Sequence, residues 1–162
     1  MVPRVHRRTP CGQAVTRIAE NRTIALVACA SAKRTCAAPA AELYVSALFT
    51  KARAYAERHT SAWYVLSAKH GLLEPASVIE PYDVTLTTMG VRDRRHWAAR
   101  VGTQLERVVQ PGDRVIVLAG ARYREGVVDV LRSRGARVEI PLEGLRIGQQ
   151  LAWLTRAAEC EA

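Results

Sequence analysis

Residues 63–75 of the chain read WYVLSAKHGLLEP. The apolar run WYVL has the length and composition of a buried strand, and it ends abruptly in Ser67, Lys69 and His70. A hydroxyl, an ammonium and an imidazole therefore follow the point where a buried strand reaches the surface. The stretch predicts either an ordinary loop or the floor of an active site.

Three other apolar runs predict buried strands, and helical segments separate them. The runs cover residues 23–28, 115–119 and 138–140. Helices are predicted over 42–58 and 91–109, and a last helix has Ile147, Leu151 and Leu154 in register. Residues 120–125 are predicted to lead into a further helix that runs through Arg132. Strands that alternate with helices predict an α/β protein. Residues 23–157 are expected to form one three-layer sandwich around a mostly parallel sheet of four to five strands.

Glycine and proline predict the connections. Pro75 and Pro81 break regular structure, so residues 74–90 are expected to form an extended connection and no helix. The segment GLLEP is predicted to be a turn that redirects the chain toward Tyr82 and Asp83.

The positive charge of the chain is unevenly distributed. The 162 residues carry a formal net charge of +9, and residues 1–22 contribute +4 of it through five arginines and one glutamate. We interpret this segment as a basic, flexible tail, which would tether the protein to nucleic-acid phosphates, form a solvated extension or reflect an upstream start codon. The rest of the charge is spread over the body, with one dense cluster at residues 92–96.

Several classes of protein find no support in the sequence. No apolar run approaches the roughly 20 residues that span a bilayer, and the amino-terminus lacks the apolar segment of a secretory signal, so a cytoplasmic protein without membrane contact is expected. The four cysteines form no CxxC pair and have no histidine at metal-ligand spacing, so no metal or cofactor is predicted. The chain lacks the P-loop, GxGxxG, HExxH and GxSxG motifs, which argues against nucleotide hydrolysis, NAD chemistry and lipase-type acyl transfer.

The four predicted strands end in loops that carry functional groups. These loops read CASAK, SAKHGL, AGARYRE and PLEGL. Ligands of open α/β sheets bind outside the carboxyl ends of the strands, and small residues let backbone N–H groups approach them closely. We therefore expect one shared site built from Cys29, Ser31, Lys33, Ser67, Lys69, His70, Tyr82, Asp83, Gly120, Arg122, Tyr123, Glu125 and Glu143.

Each of these residues also has an ordinary structural interpretation. Lys33 and Lys69 would be solvated surface lysines, and His70 would cap a turn. Asp83 would make an Asx-turn, and the two glutamates would lie at helix starts. The matching position of the two lysines, each two residues after a serine at a strand end, is what favours a site.

Six stretches together carry a resemblance to a known family. They read LVACASAK, ELYVSALFTKARAYAE, WYVLSAKHGLLEP, VIEPYDVTL, LAGARYREGVVDVL and IPLEGLRIGQQLAWL. The series resembles a bacterial and phage domain family that is catalogued without an assigned function, and it covers residues 23–154. This resemblance implies membership of the family and no particular activity.

A more distant similarity implies a pocket for a base. The pattern Cys-x-x-x-Lys, then Gly-Leu-x-x-Pro and Tyr-Asp, is similar to the domain of archaeosine synthase that acts on a deazaguanine base in tRNA. That domain is related to the uracil-DNA glycosylase fold, so the resemblance implies a sandwich of that kind, with a Rossmann-like one as the alternative. It covers Cys29, Ser31, Lys33, Gly71, Leu72, Pro75, Tyr82 and Asp83. The serine- and histidine-containing extension after the lysine has no counterpart in RTCAAPAAEL, so amino-acid ligation is not implied.

The hypothesis for function follows from this pocket. We expect an enzyme that acts on a nucleobase or nucleotide, by cleavage of the N-glycosidic bond or by base exchange, as a DNA glycosylase does. Asp83 would stabilise the cationic sugar or orient water, and His70 would protonate or hydrogen-bond the departing base. Lys33 would hold phosphate together with Lys69, and a tyrosine of the site would stack on the base.

Two alternatives stay open at this point. The chain would be a non-catalytic module that grips the phosphates of DNA or RNA, or a sensor that binds a free nucleotide. In all three cases the residues expected to contact the ligand, besides the catalytic candidates Lys33, His70 and Asp83, are Cys29, Ser31, Ser67, Lys69, Tyr82, Gly120, Arg122, Tyr123, Glu125 and Glu143.

Overall fold

A computed structural model describes residues 21–160, which fold around a five-stranded sheet. The strands are Thr23–Ala28 (β1), Ala38–Pro39 (β2), Ala62–Ser67 (β3), Gly71–Leu73 (β4), Val78–Ile79 (β5), Arg114–Leu118 (β6) and Arg137–Glu139 (β7). The main sheet has the order β4-β3-β1-β6-β7, while β2 and β5 form a separate antiparallel pair.

Four strands of the main sheet are parallel, and one edge strand is antiparallel. β1 is central and pairs with β3 and β6, so that Leu26 lies opposite Tyr64 on one side and Val117 on the other. β7 continues the parallel order beyond β6, and β4 runs antiparallel to β3. The central strands are short and rich in valine, leucine and isoleucine, as strands buried on both faces require. The prediction of an α/β protein with a mostly parallel sheet is confirmed.

Helices cover both faces of this sheet. They are Ala40–Leu43 (α1), Ala47–His59 (α2), Val91–Leu105 (α3), Ala121–Arg124 (α4), Val127–Ser133 (α5) and Ile147–Glu159 (α6). Neighbouring residues of β1 point to opposite faces. Leu26 belongs to the buried cluster that includes Trp97 of α3, whereas Val27 belongs to the cluster that includes Phe49 of α2 and Leu154 of α6. The fold therefore has three layers.

The segment 42–58, which the sequence predicts to be one continuous helix, is interrupted, so that prediction is wrong. The segment 42–58 breaks before Ser46, whose hydroxyl accepts a hydrogen bond from the N–H of Phe49 at 3.1 Å and starts α2. Residues 120–125, predicted to lead into a helix through Arg132, contain the short helix α4, and α5 begins after Gly126, whose φ of 79° lies in the left-handed region. The first break thus follows α1, and the second follows α4.

Two helix ends also differ from the prediction. α3 stops at Leu105, four residues earlier than predicted, and a turn carries the chain to Val109. Ile147, predicted to pack with the last helix, is 59% exposed, whereas Leu154 is buried.

The segment GLLEP is not the predicted turn, because residues 71–73 form the edge strand β4. The reversal lies earlier, within residues 68–70, and Gly71 then adopts a φ of 74° that returns the chain along β3. On the side of β4 that faces away from β3, the N–H of Leu72 donates to Oε1 of Gln104 at 2.8 Å. Nε2 of Gln104 donates to the carbonyl of Leu72 at 3.4 Å. A side chain of α3 thus takes the hydrogen bonds of the outer edge.

The other connections agree with the sequence where they are described. Residues 74–90 contain no helix and include the short strand β5. No helix within residues 21–160 has both the length and the apolar character needed to cross a membrane. Residues 1–20, which hold most of the predicted tail, lie outside the described part of the chain, so the division into tail and domain stays a prediction.

Candidate functional site

The loops of the sheet diverge between β1 and β6. After β1 the chain crosses the face covered by α2 to reach β3, and after β6 it crosses the opposite face through α5 to reach β7. Such a divergence opens a crevice at the carboxyl ends of the strands. A cavity of about 270 Å³ lies there, and its lining includes Cys29, Phe49, Gly120, Arg122, Tyr123 and Leu142.

Most of the cavity wall is apolar, and several of its polar groups already have partners. The Ser46 hydroxyl caps α2, and the Gln150 amide donates to the carbonyl of Leu145 at 2.9 Å. The Cys29 thiol and the Tyr123 hydroxyl share a hydrogen bond of 3.2 Å. An apolar crevice with a few placed polar groups is typical of small-molecule sites in this class of fold.

The Tyr123 side chain is fixed from behind by Trp97. Their ring centroids lie 5.7 Å apart, and the ring planes are nearly perpendicular at 89°. Burial raises the pKa of Tyr123, and the neighbouring Cys29 raises it further. The hydroxyl therefore remains protonated at neutral pH and can donate a hydrogen bond.

A second group of side chains surrounds the hydroxyl of Tyr82. This hydroxyl shares hydrogen bonds of 2.6 Å with Oγ of Ser67 and 2.7 Å with the hydroxyl of Tyr44. Ser67 is fully buried and also accepts the backbone N–H of His70 at 3.1 Å. Its carbonyl accepts the indole N–H of Trp97 at 2.9 Å. Ser67 thus organises the loop from inside, and its hydroxyl has no free surface for a ligand.

Electrostatics connect this second group to the cavity. Burial raises the pKa of Tyr82, and the nearby Cys29 is the next cause of the rise. Burial likewise raises the pKa of Tyr44 to about 12. Cys29, which lines the cavity, thus also acts electrostatically on the tyrosine pair, and all three tyrosines are neutral at physiological pH.

Two lysines border the Tyr82 ring. Nζ of Lys33 lies 4.5 Å from the centroid of that ring and 5.8 Å from the centroid of Tyr44, and Nζ of Lys69 lies 6.0 Å from the Tyr82 centroid. These are cation–π distances. Lys33 also donates to the carbonyl of Ser31 at 3.3 Å, which is how Ser31 contributes to the loop. The predicted proximity of Lys33 and Lys69 is thus observed.

His70 packs edge-on against the same tyrosine. The ring centroids of His70 and Tyr82 lie 5.6 Å apart with an angle of 83° between the planes. Burial lowers the pKa of His70 below its usual value, and the positive charges of Lys69 and Arg100 lower it further. The imidazole is therefore neutral at pH 7, which suits a hydrogen-bonding or proton-accepting role better than that of a proton donor.

The three predicted carboxylates do not lie in the cavity wall. Glu125 pairs with Arg94 at 3.2 Å, and Glu143 pairs with Arg124 at 2.7 Å. Both glutamates line a shallow groove beside α5. Asp83 is exposed directly after Tyr82. The structure therefore gathers the first two loops and Tyr123 around Cys29, while the glutamates hold arginines of the third loop and of α3.

Sequence reasoning missed Tyr44 and Phe49 as members of the site. Tyr44 was assigned to a helix interior, but it lies in the break before Ser46, where its backbone pairs with Lys33. The signal was a serine three residues before Phe49, a spacing typical of a helix cap. No group of three or more His, Cys, Asp and Glu side chains within residues 21–160 could hold a metal ion.

Comparison with known proteins places the chain among relatives without an assigned function. It is 28% identical over 127 residues to the uncharacterized protein YfjM of Bacillus subtilis (strain 168), and the match covers 74% of this chain and 80% of that protein. No solved structure matches the chain. A family model matches residues 24–156, nearly all of the described fold. The chain belongs to this family, the family of unknown function DUF6884.

Proposed function

We propose that this protein is an enzyme that acts on a nucleobase-bearing substrate at the N-glycosidic bond, by cleavage or by base exchange. The observation that carries the proposal is the apolar cavity at the point where the loops after β1 and β6 diverge. We include in the proposal a relationship of the fold to the uracil-DNA glycosylase-like or Rossmann-like sandwiches. Under this proposal the cavity holds the base and the tyrosine–lysine group beside it holds the sugar and phosphate.

The cavity suits a flat, mostly apolar ring with polar edges. Phe49 and Leu142 supply apolar wall, and the protonated hydroxyl of Tyr123 is a hydrogen-bond donor for an acceptor atom on the edge of a base. The Cys29 thiol lies beside this hydroxyl and would contact the same edge. A base in this crevice would be removed from water, which strengthens each of these hydrogen bonds.

The sugar would lie at the cavity mouth, near the segment from Tyr82 to Thr87. Thr87 lines the cavity, and Asp83 precedes it by four residues in the same segment. As the bond from C1′ to the base nitrogen breaks, its electron pair leaves with the base, and positive charge develops on the sugar. The Asp83 carboxylate would stabilise that charge.

Water completes the reaction. Its oxygen forms a bond to C1′, and the neutral His70 imidazole accepts the proton that the water loses. A proton from solvent neutralises the base nitrogen. In base exchange, the nitrogen of an incoming base takes the place of the water oxygen. Lys33 and Lys69, both held against the Tyr82 ring, would bind a substrate phosphate.

Base release from nucleosides, nucleotides and oligonucleotides tests the proposal. Chromatography with mass detection would follow the free base, and a labelled base in the medium would report exchange. We expect Asp83→Asn to reduce turnover by about 100-fold or more, as loss of a charge-stabilising group does. Asp129→Asn is the matched control, because Asp129 is an exposed aspartate of α5 outside the cavity.

Blocking the cavity tests the position of the base. Leu48 lines the cavity and is half-buried, so Leu48→Trp would fill space with little effect on the core. Leu151→Trp makes the same change at a half-buried position of α6 that does not line the cavity. We expect only Leu48→Trp to abolish turnover. Equal activity of Leu48→Trp and Leu151→Trp would refute the placement of the base in the cavity. Full activity of the single variants Asp83→Asn and His70→Ala would refute the catalytic roles of these two residues.

A further inference from the structure

A basic groove lies at the same edge of the sheet as the cavity, on the side covered by α3. Its volume is about 400 Å³, and its lining is Ala68, Lys69, Val84, Met89, Asp93, His96, Trp97 and Arg100. NH2 of Arg100 donates to the carbonyl of Lys69 at 2.9 Å, which fixes the guanidinium beside this loop. The lining of the groove therefore includes an ammonium and a guanidinium.

The arginines of α3 differ in exposure and in position relative to the groove. Arg92, Arg95 and Arg100 are exposed, and none of them takes part in an ion pair within residues 21–160. Lys69 is equally free of a carboxylate partner in that part of the chain. Arg94, by contrast, is buried and paired with Glu125. Arg95 lines a different hollow, together with Glu125 and Gly126, so among the exposed arginines only Arg100 lines the groove. Lys69 and Arg100 are therefore the exposed cations without a carboxylate partner that the groove offers to a polyanion.

Acidic groups on this surface are few. Asp93 is the carboxylate that lines the groove, and it lies in the first turn of α3, where it favours the helix dipole. Glu106, at the other end of the helix, is neutralised by Arg134 at 3.8 Å. The exposed Asp83 directly precedes Val84 of the lining, and within the lining itself Lys69 and Arg100 outnumber Asp93.

One short segment separates the groove from the cavity. Val84 and Met89 line the groove, and Thr87 between them lines the cavity. A chain of phosphates that follows the groove would therefore be separated from the cavity mouth only by the segment 84–89. Lys69 belongs to both regions, since its Nζ also lies 6.0 Å from the Tyr82 ring centroid.

From this arrangement we propose that the substrate is an unpaired strand of nucleic acid, with its phosphodiester backbone in the groove and along α3. The proposal rests on the proposed function for the placement of one base in the cavity. Phosphate contacts would fix the position of the strand, and the neighbouring base would turn out of the stack into the apolar crevice. An unpaired strand is the favoured form, because its base enters the cavity without the few kcal/mol that unpairing and unstacking in a duplex cost.

Binding of a short single-stranded oligonucleotide to the full chain tests this inference. Fluorescence anisotropy would measure affinity over a salt series, with DNA and RNA strands of the same sequence as separate arms. The groove variant is Lys69→Gln with Arg100→Gln, because both side chains line the groove. The control variant is Arg58→Gln with Arg156→Gln, on the opposite face of the sheet. The pairs are matched, because Arg58 donates to a backbone carbonyl, at 2.8 Å, as Arg100 does, and Arg156 is exposed like Lys69.

We expect the groove variant to bind at least about tenfold more weakly at 0.1 M salt, and the slope of log K against log salt to become shallower by about 1.4 for two lost contacts. The control should retain the slope of the parent chain. If the groove variant does not fold, as judged by circular dichroism, the single change Lys69→Gln replaces it, with an expected change in slope of about 0.7 for one lost contact.

Equal affinities of the groove and control variants would overturn the inference, whatever the turnover on free nucleosides. Binding to anionic phospholipid vesicles without binding to either oligonucleotide would overturn it as well. Groove-dependent binding of an oligonucleotide that releases no base would instead support the interface and refute the proposed reaction. A difference between the DNA and RNA arms would identify which nucleic acid is the substrate.

Discussion

The Tyr82 hydroxyl lies between two others and holds the candidate site together. Oγ of Ser67 and the hydroxyl of Tyr44 both share a hydrogen bond with it, and its ring contacts Lys33 and His70. One side chain therefore joins the first loop, the second loop and the segment that bears Asp83. A buried network of this kind fixes geometry only while each member has a partner.

Tyr82→Phe removes the central hydroxyl and leaves the Tyr44 hydroxyl without this partner. We expect a loss of about 1–3 kcal/mol in the free energy of unfolding, because a buried polar group becomes unsatisfied. Urea denaturation would measure it. Tyr64→Phe is the control, since the hydroxyl of half-buried Tyr64 has no hydrogen bond within residues 21–160. A Tyr82→Phe variant as stable as the control would show that the network contributes nothing.

The same tyrosines predict sensitivity to alkali. Their pKa values in the folded chain lie above the ordinary value of 10.0, with that of Tyr44 at about 12. Protons bound more tightly in the folded state give stability that is complete below pH 10 and declines as the pH rises toward 12. Urea denaturation between neutral pH and pH about 11 should show this decline, with a smaller dependence in Tyr82→Phe. If the stability of the parent chain did not change with pH over this range, the raised pKa values of the tyrosines would be contradicted.

At the scale of elements, the breaks in the helices decide where the loops lie. The break before Ser46 places Tyr44 in the site, and the break at Gly126 separates the loop that carries Tyr123 from α5. A Cβ atom at Gly126 would lie 3.0 Å from Cβ of Ala98 in α3. The left-handed backbone there thus also permits close packing of the loop on α3.

Gly126→Ala should destabilise the fold by about 1–3 kcal/mol, because alanine resists the left-handed backbone and would crowd Ala98. Gly148→Ala is the contrasting change. A Cβ at Gly148 meets open space within the helix α6, and we expect a gain of about 0.5 kcal/mol. Thermal and urea denaturation would measure the change in the free energy of unfolding for each variant, which we expect to be a loss for Gly126→Ala and a gain for Gly148→Ala. A Gly126→Ala variant that is as stable as the parent chain, or more stable, would mean that the left-handed break is not needed for the fold.

These breaks also mark what the sequence could and could not predict. The strands followed from apolar runs, and the predicted range 23–28 agrees with β1. The pairing of Glu125 with Arg94 could not be predicted, because it joins residues 31 apart through the packing of α3 beside α4. The cavity itself depends on the order of the strands, since only the placement of β6 beside β1 creates the divergence. Local pattern predicts elements, while the site arises from their arrangement.

At the scale of the whole molecule, β1 couples the two helical layers. Its alternate residues supply both buried clusters, with Ile24 and Leu26 on the α3 side and Ala25 and Val27 on the α2 side. Neither layer can detach without exposing one face of this strand. The fold is therefore expected to unfold as one unit.

Leu26→Ala tests this coupling. Leu26 is fully buried, so the variant should lose about 2–5 kcal/mol in the free energy of unfolding. We expect the transitions seen by far-ultraviolet circular dichroism and by tryptophan fluorescence to move together, because Trp97 and Trp153 report on opposite layers. Two separate transitions would show that the layers are independent. Leu151→Ala, at a half-buried position of α6, should have a smaller effect.

The two hydrogen bonds between Gln104 and Leu72 have a consequence for association. The Gln104 carboxamide has the same donor and acceptor as a peptide group, so it takes the place that the next strand would occupy beside β4. An open edge invites pairing with another chain, which leads to aggregation. Gln104 closes this edge with a single residue, and the sheet cannot grow past β4 by recruiting a second copy. Protection from self-assembly here is thus a property of a helix side chain and not of the strand that it protects.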